Sequence, residues 1–387
     1  MLTQRKIAHL ALADGSLFQG YTWGAELCVT GEVVFTTGMT GYQEVLTDPS
    51  YAGQIVTMTN PHIGNTGITL EDAESRRGQP HVAGFVLREP CDTPSNHRSQ
   101  ESLDHYLERN NVAALGGIDT RLLVRTLRDR GAQNGCIGTA SPAELVDRAR
   151  AAPDMQGLDL VARVTPSESY AFEESRGDWR VSFDAHSPIT GASRLQHSKP
   201  LHVVALDFGA KRNILRCLVD AGCRVTAVPA STSPSQILAL NPDGIFLSNG
   251  PGDPAAVGYA VSTIRELLGR KPMFGICLGH QLLALAVGGK TYKLKFGHRG
   301  LNQPVKDLAT GRVEITLQNH GFCVDIDSLG SRAVSTHTHL NDGTSEGLSV
   351  PDANAFSVQY HPEAAAGPHD ALYLFRRFTD SMLENAR

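Results

Sequence analysis

Paired cysteine is missing from this chain. Its seven cysteines (Cys28, Cys91, Cys136, Cys217, Cys223, Cys277 and Cys323) are odd in number, scattered over 387 positions, and contain no CxxC pair. Such a set points away from a disulfide framework and from a zinc ribbon, and fits a reducing, cytoplasmic setting. Also absent is any apolar run of the length needed to cross a bilayer. Near the N-terminus Arg5 and Lys6 precede a short apolar stretch, but His9 and Asp14 interrupt it. That stretch reads as a first strand, not a signal peptide. Charge of one sign is not in excess: the formal net charge is −5, with acids and bases intermixed. No electrostatic footprint for nucleic acid or an anionic membrane results. Internal repeats, low-complexity tracts and nucleotide-binding fingerprints are lacking as well. What is present is 41% apolar and 19% charged, an ordinary globular composition, over a length that calls for two domains.

The first half reads as β-rich. Short runs at 7–13, 32–37, 54–59 and 81–87 carry Val, Ile, Thr and Phe, and turn residues such as Asp14-Gly15 and Asp48-Pro49 bound them. Helices are expected over about 103–109 and 120–130. A third starts at Ser141, with Pro142 at its first position and Glu144 placed for a capping box. The stretch 165–200 is polar; 179–183 is a possible strand within it, and 193–200 the expected linker. The organisation expected is therefore a β-rich α+β domain over 1–192, a linker over 193–200, and a second domain over 201–387.

From residue 201 the texture alternates. Apolar strands at 201–206, 224–228, 244–247 and 273–276 are separated by helices near 211–221, 234–240 and 260–268, and another helix begins at Leu278. Strands that are continuously apolar are those of a parallel sheet covered on both faces. This predicts a doubly wound α/β domain. The stretch 313–349 is expected to form antiparallel strands. A closing helix is expected from Asp370, with Ala371, Phe375, Phe378 and Met382 on one face.

Three segments carry chemistry. In Phe274-Gly275-Ile276-Cys277-Leu278-Gly279-His280-Gln281, a strand ends at Cys277 and a helix begins after it. Glycine at both the −2 and +2 positions relieves crowding in a sharp strand-to-helix turn, the nucleophile-elbow pattern with Cys in place of Ser. The helix N-terminus favours the thiolate. An isolated cysteine in an apolar strand is ordinarily core, as the other six are read here; the turn and its glycines set Cys277 apart. A thiol nucleophile needs a base and a group that orients it. Tyr360-His361-Pro362-Glu363 supplies both, because strand alternation puts His361 and Glu363 on one face. A His-x-Glu seen alone is usually a surface ion pair. Ser248-Asn249-Gly250-Pro251-Gly252-Asp253-Pro254 follows the preceding strand, so a Gly252 amide, with that of Leu278, is placed to form an oxyanion hole. The bland alternative is a Gly/Pro turn.

Together these segments resemble those of class I glutamine amidotransferases, over about the second half of the chain. The resemblance extends into the first half. Met39-Thr40-Gly41-Tyr42-Gln43-Glu44, Leu46-Thr47-Asp48-Pro49-Ser50-Tyr51, Pro61-His62-Ile63-Gly64-Asn65, Gly117-Ile118-Asp119-Thr120-Arg121 and Gly131-Ala132-Gln133-Asn134-Gly135-Cys136 are similar to segments of the carbamoyl-phosphate synthase small-subunit family. So is Asp207-Phe208-Gly209-Ala210-Lys211-Arg212-Asn213-Ile214. One departure is visible at Leu301 and Gln303, where that family usually has a small residue and His.

The resemblance implies roles. The nucleophile falls on Cys277 and the other triad members on His361 and Glu363. Positions that bind L-glutamine fall on Ser50, Gly250, Gly252, Leu278, Gln281, Asn319, Gly321 and Phe322. Ser50, from the first domain, implies a shared cleft. No cofactor or metal is implied in this chain; ATP and Mg are expected to belong to a large-subunit partner that consumes the ammonia, for arginine and pyrimidine synthesis. The rival readings are an amidotransferase of another synthetase and a regulatory subunit with a vestigial site.

Overall fold

The computed structural model describes residues 5–184, 191–197 and 199–385. It divides into two compact units, Met1–Leu158 with Lys295–Gly300, and Asp159–Leu294 with Leu301–Arg387.

The first unit is built on a closed barrel. Its strands are β1 (Ile7–Leu12), β2 (Leu17–Gly24), β3 (Val29–Thr36), β4 (Gln54–Met58), β6 (Gly84–Val86), β8 (Ala113–Gly116) and β9 (Gln133–Gly138), in the spatial order β1-β2-β8-β6-β4-β3-β9. A separate pair, β5 (His62–Ile63) and β7 (Glu89–Pro90), is parallel. Closure leaves the barrel no unpaired edge. Among the described residues four α-helices accompany it: α1 (Tyr42–Thr47), α2 (Leu103–Arg109), α3 (Thr120–Arg130) and α4 (Pro142–Ala151). The capping box expected at α4 forms only by half. Ser141 accepts the Glu144 amide, but the Glu144 carboxylate turns to Arg148, 2.6 Å away, one helical turn on. Residues 295–300 return to this unit, where Phe296 stacks on Phe35 at 6.0 Å and the Lys295 carbonyl accepts from the Ala132 amide.

The second unit is a doubly wound sheet. Its elements are α5 (Val161–Val164), β10 (Tyr170–Phe172), β11 (Leu201–Asp207), α6 (Arg212–Asp220), β12 (Cys223–Pro229), α7 (Pro234–Ala239), β13 (Gly244–Leu247), α8 (Gly258–Leu267), β14 (Met273–Ile276) and α9 (Leu278–Ala286). They continue with β15 (Lys290–Asp307), β16 (Val313–Asp325), β17 (Val334–His339), β18 (Ser345–Val350), β19 (Ala355–Val358) and α10 (Tyr373–Asn385). The order across the sheet is β10-β12-β11-β13-β14-β19-β18-β17-β15-β16, with β12, β11, β13, β14 and β19 parallel. The continuous apolar strands have the cause expected of them. Val203, Ala205, Phe246, Phe274 and Ile276 enter one core; Val204, Leu206, Ile245, Leu247 and Met273 enter the other. Alternate side chains thus feed both faces. On the first face α10 lays Phe375 and Phe378 against Phe274, with ring centroids 5.8 and 5.7 Å away.

Two expectations shift. The units divide at Leu158, well ahead of the linker read at 193–200, of which Ser198 lies outside the described residues. The reason is packing: β10 pairs antiparallel with β12, and Val181 and Phe183 are buried in the second unit's core. No strand forms over 179–183: a 3-10 turn, Gly177–Trp179, takes its start, and Trp179 is exposed. The 18-residue β15 escaped the sequence reading altogether, because its exposure follows neither a period of two nor one of 3.6.

Candidate active site

The strand β14 ends against its neighbours at the carboxyl edge of the sheet, where open α/β folds bind ligands. The next residue, Cys277, has φ 55 and ψ −104, one of four described non-glycine residues with positive φ. The turn can be this sharp only because of its glycines. A Cβ on Gly279 would lie 2.3 Å from the Leu247 carbonyl oxygen, and one on Gly275 would lie 2.9 Å from the Gly279 backbone. The Cys277 amide donates to the Val358 carbonyl at 2.9 Å, and its thiol donates to the Asn319 carbonyl at 3.6 Å. The side chain is buried, at the N-cap of α9.

The second component leaves the sheet beside the first. β19 runs parallel to β14 with Ile276 opposite Val358, so Cys277 and His361 follow adjacent strand ends at one edge. The His361 amide donates to the Leu317 carbonyl, which fixes the backbone of the turn. His361 Nδ1 and Glu363 Oε1 are 2.8 Å apart, both groups buried. With the Nδ1 proton donated to the carboxylate, Nε2 is left bare as an acceptor; it is buried and has no hydrogen-bond partner. Burial by itself would raise the Glu363 carboxyl. The His361 ring beside it, the Lys211 charge and the His361 hydrogen bond overcome that and bring it down to about 2. Lys211 Nζ lies 3.3 Å from Glu363 Oε1, and Asn213 Nδ2 donates to the Glu363 carbonyl at 2.6 Å.

The loop after β13 reaches the same edge. A Cβ on Gly250 would meet the Phe208 carbonyl at 2.4 Å, and Gly252 has φ +88. Ser248 holds the loop: its hydroxyl accepts from the Phe208 amide and donates to the Asn249 carbonyl, and its carbonyl accepts the Gly279 amide at 3.0 Å. The Leu278 amide is the first of α9, where no intrahelical acceptor exists. From the far side β16 brings Asn319, Gly321 and Phe322 over the start of α9. Gln281 makes that join, its amide nitrogen donating to the Phe322 carbonyl at 2.8 Å and to Gln359 Oε1 at 3.0 Å. Both amide hydrogens are therefore committed within the protein, and only the Gln281 carbonyl oxygen remains for a ligand.

Cys277, Leu278, His361, Glu363, Gly250, Gly252, Gln281, Asn319, Gly321 and Phe322 all belong to the second unit. Ser50 belongs to the first, buried in a 3-10 turn (Pro49–Tyr51) where Asp48 Oδ1 accepts its amide at 2.8 Å. Gln303, the departure from the resembling family, accepts from His339 Nε2 at 3.1 Å through its side-chain oxygen. Sequence reasoning assigned no role to Lys211 or Asn213. They lie in the 207–214 segment already marked by resemblance, about 150 positions before Glu363, and nothing local announces that contact.

The class that this fold and site define is that of the glutamine amidotransferases. Residues 204–381 match the family described as glutamine amidotransferase class-I, and residues 10–137 match carbamoyl-phosphate synthase small chain, CPSase domain. The chain is 58% identical to the carbamoyl phosphate synthase small chain of Syntrophotalea carbinolica, over 98% of both chains. It is 54% identical to that of Pseudomonas aeruginosa, over 98% of this chain and 99% of the relative. With that of Rhodopirellula baltica the figures are 52%, 99% and 98%. The chain belongs to the carbamoyl phosphate synthase small chain family. Among the described residues no helix is long and apolar enough to cross a membrane.

Proposed function

We propose that this chain is the glutamine-hydrolysing subunit of a carbamoyl-phosphate synthase, with Cys277 as nucleophile. The observation that carries this is the meeting, at one sheet edge, of a strained elbow cysteine with a buried His361–Glu363 pair whose outer ring nitrogen is unpartnered.

His361 Nε2 takes the thiol proton, and the sulfur attacks the side-chain amide carbon of L-glutamine. The Leu278 and Gly252 amides hold the oxyanion. Donors of this kind are worth on the order of 10²–10³ in rate each. His361 then protonates the departing nitrogen, ammonia leaves, and water releases glutamate from the thioester. Glu363 remains ionised throughout, which keeps the Nδ1 proton in place. Gly250, Gln281, Asn319, Gly321 and Phe322 receive the α-amino and α-carboxylate groups of the substrate. The ammonia passes through an internal tunnel to a large subunit, which binds ATP and Mg and makes carbamoyl phosphate for arginine and pyrimidine synthesis in the cytoplasm. This chain itself needs no cofactor.

A glutamine-analogue electrophile followed by peptide mass spectrometry is expected to label Cys277. In the reconstituted complex, Cys277→Ser is expected to abolish glutamine-dependent synthesis and to leave ammonia-dependent synthesis intact. Loss of both would break the division of labour, and labelling of another cysteine would remove the nucleophile assignment. Co-purification with a different synthetase would overturn the partner.

A further inference from the structure

Two of the cysteines that the sequence leaves to structure lie side by side. Cys136 is in β9, fully buried, in the small core formed with Ala11, Leu145 and Ala149. Cys28 lies just before β3 and is exposed. In the antiparallel register Thr30 faces Cys136 and Val29 faces Ile137, which sets Cys28 diagonally across from Cys136. The position directly opposite Cys28 is Gly138. A Cβ there would lie 3.1 Å from the Cys28 sulfur, so the glycine gives the thiol room to lean over the strand. The two sulfurs are 3.4 Å apart. A disulfide needs about 2.05 Å, so closing it draws the backbone at Cys28, just ahead of β3, toward β9. Arg148 of α4 completes the group: its Nη1 lies 3.2 Å from the Cys28 sulfur, while its Nη2 pairs with Glu144 at 2.6 Å.

We propose that Cys28 and Cys136 form a hydroperoxide-reactive dithiol that closes to a disulfide, separate from the hydrolytic site. An exposed thiol beside a guanidinium has the setting of a reactive cysteine, and a buried thiol within van der Waals reach has that of its resolving partner. The Cys28 thiolate attacks a hydroperoxide oxygen; the O–O bond breaks, an alkoxide or hydroxide leaves, and Cys28 becomes a sulfenic acid. The Cys136 thiol then attacks the sulfenic sulfur, the S–O bond breaks and water departs with the Cys136 proton. Two electrons pass from the thiols to the peroxide, and a small dithiol returns them. Burial, with the Cys28 thiol beside it, pushes the Cys136 thiol up to about 12, so it waits protonated until a sulfenic acid appears.

The test treats the whole chain with hydrogen peroxide and maps its peptides without reduction. The expected product is a Cys28–Cys136 linked pair, two hydrogens lighter than the free peptides and restored by a dithiol. In Cys136→Ala the reaction is expected to stop at a Cys28 sulfenic acid that dimedone captures. In Arg148→Ala, alkylation of Cys28 is expected to slow several-fold. Cys28→Ser is expected to hydrolyse glutamine at the unaltered rate. A Cys28 that stays reduced, or that runs to sulfonic acid without linkage in the unaltered chain, would overturn the proposal. So would equal alkylation rates with and without Arg148.

Discussion

Cys277 occupies a backbone conformation that L-residues rarely adopt, and such outliers cost about 1–3 kcal/mol each. The fold carries that cost at the one position where a sulfur must stand clear of the sheet. Glycine has no such penalty there. Cys277→Gly is therefore expected to raise unfolding stability by about 1 kcal/mol while ending glutamine hydrolysis. Denaturant titration of both proteins measures the first half; a destabilised variant would mean that the elbow is not strained. The opposite holds at Gly279, where an added methyl would strike the Leu247 carbonyl at 2.3 Å. The elbow was legible in the sequence because its requirements are local: two glycines, an apolar strand, and a helix start, all within eight residues. The charge that depresses Glu363 was not. Lys211 and Asn213 reach the triad from the N-terminal end of α6, and their contact exists only once the sheet has closed.

Among elements, the alternation of strand and helix from residue 201 was readable because each apolar run serves two cores at once. The approach to it, residues 159–184, was only partly readable: Val181 and Phe183 are apolar core, but its other side-chain attachments are polar and distant. Arg176 donates to Asp220 at the end of α6 at 2.8 Å, and also to the Val181 carbonyl, and its guanidinium lies 5.1 Å from the centroid of the Phe183 ring. Ser175 donates to the other Asp220 oxygen at 2.6 Å. Both charged groups are buried. Removing one side of such a pair leaves the other desolvated and unmatched, at a cost of about 3–5 kcal/mol. Arg176→Ala is expected to lose that much and to free 159–184 for proteolysis before the rest of the second unit opens. Arg176→Lys should recover only part of it, because a lysine cannot reach both Asp220 and the Val181 carbonyl. Unchanged stability in the alanine variant would show that Arg194, 3.5 Å from the same carboxylate, suffices.

For the whole molecule the buried titrating groups set how stability varies with pH. Burial, with His337 nearby, lowers His280 to about 3, and burial lowers His337 to about 4. In the unfolded chain both titrate near 6.5, so between pH 6.5 and 4 the unfolded state binds more protons than the folded one. The two rings therefore withdraw stability as the pH drops through that window. Glu314 and Glu44 work the other way: burial raises them to about 7 and about 8, so the folded state holds their protons and offsets the two histidines above pH 4.5. Below 4.5 the depressed Glu363 adds to the loss. Melting temperatures are expected to decline chiefly below pH 4.5, where Glu44 and Glu314 no longer offset the histidines, with a shallower slope in His337→Asn. A flat profile over pH 4.5–3 would contradict these buried states.

The adjacency of β14 and β19 also orders events in time. Translation releases Cys277 long before His361, and the strand that carries the imidazole must slot between β14 and β18, which it joins on either side. Until that last insertion the sulfur has no proton acceptor and the oxyanion donors have nothing to serve. A half-made chain is thus chemically mute, and glutamine is safe from it. Competence arrives in a single step, together with closure of the sheet.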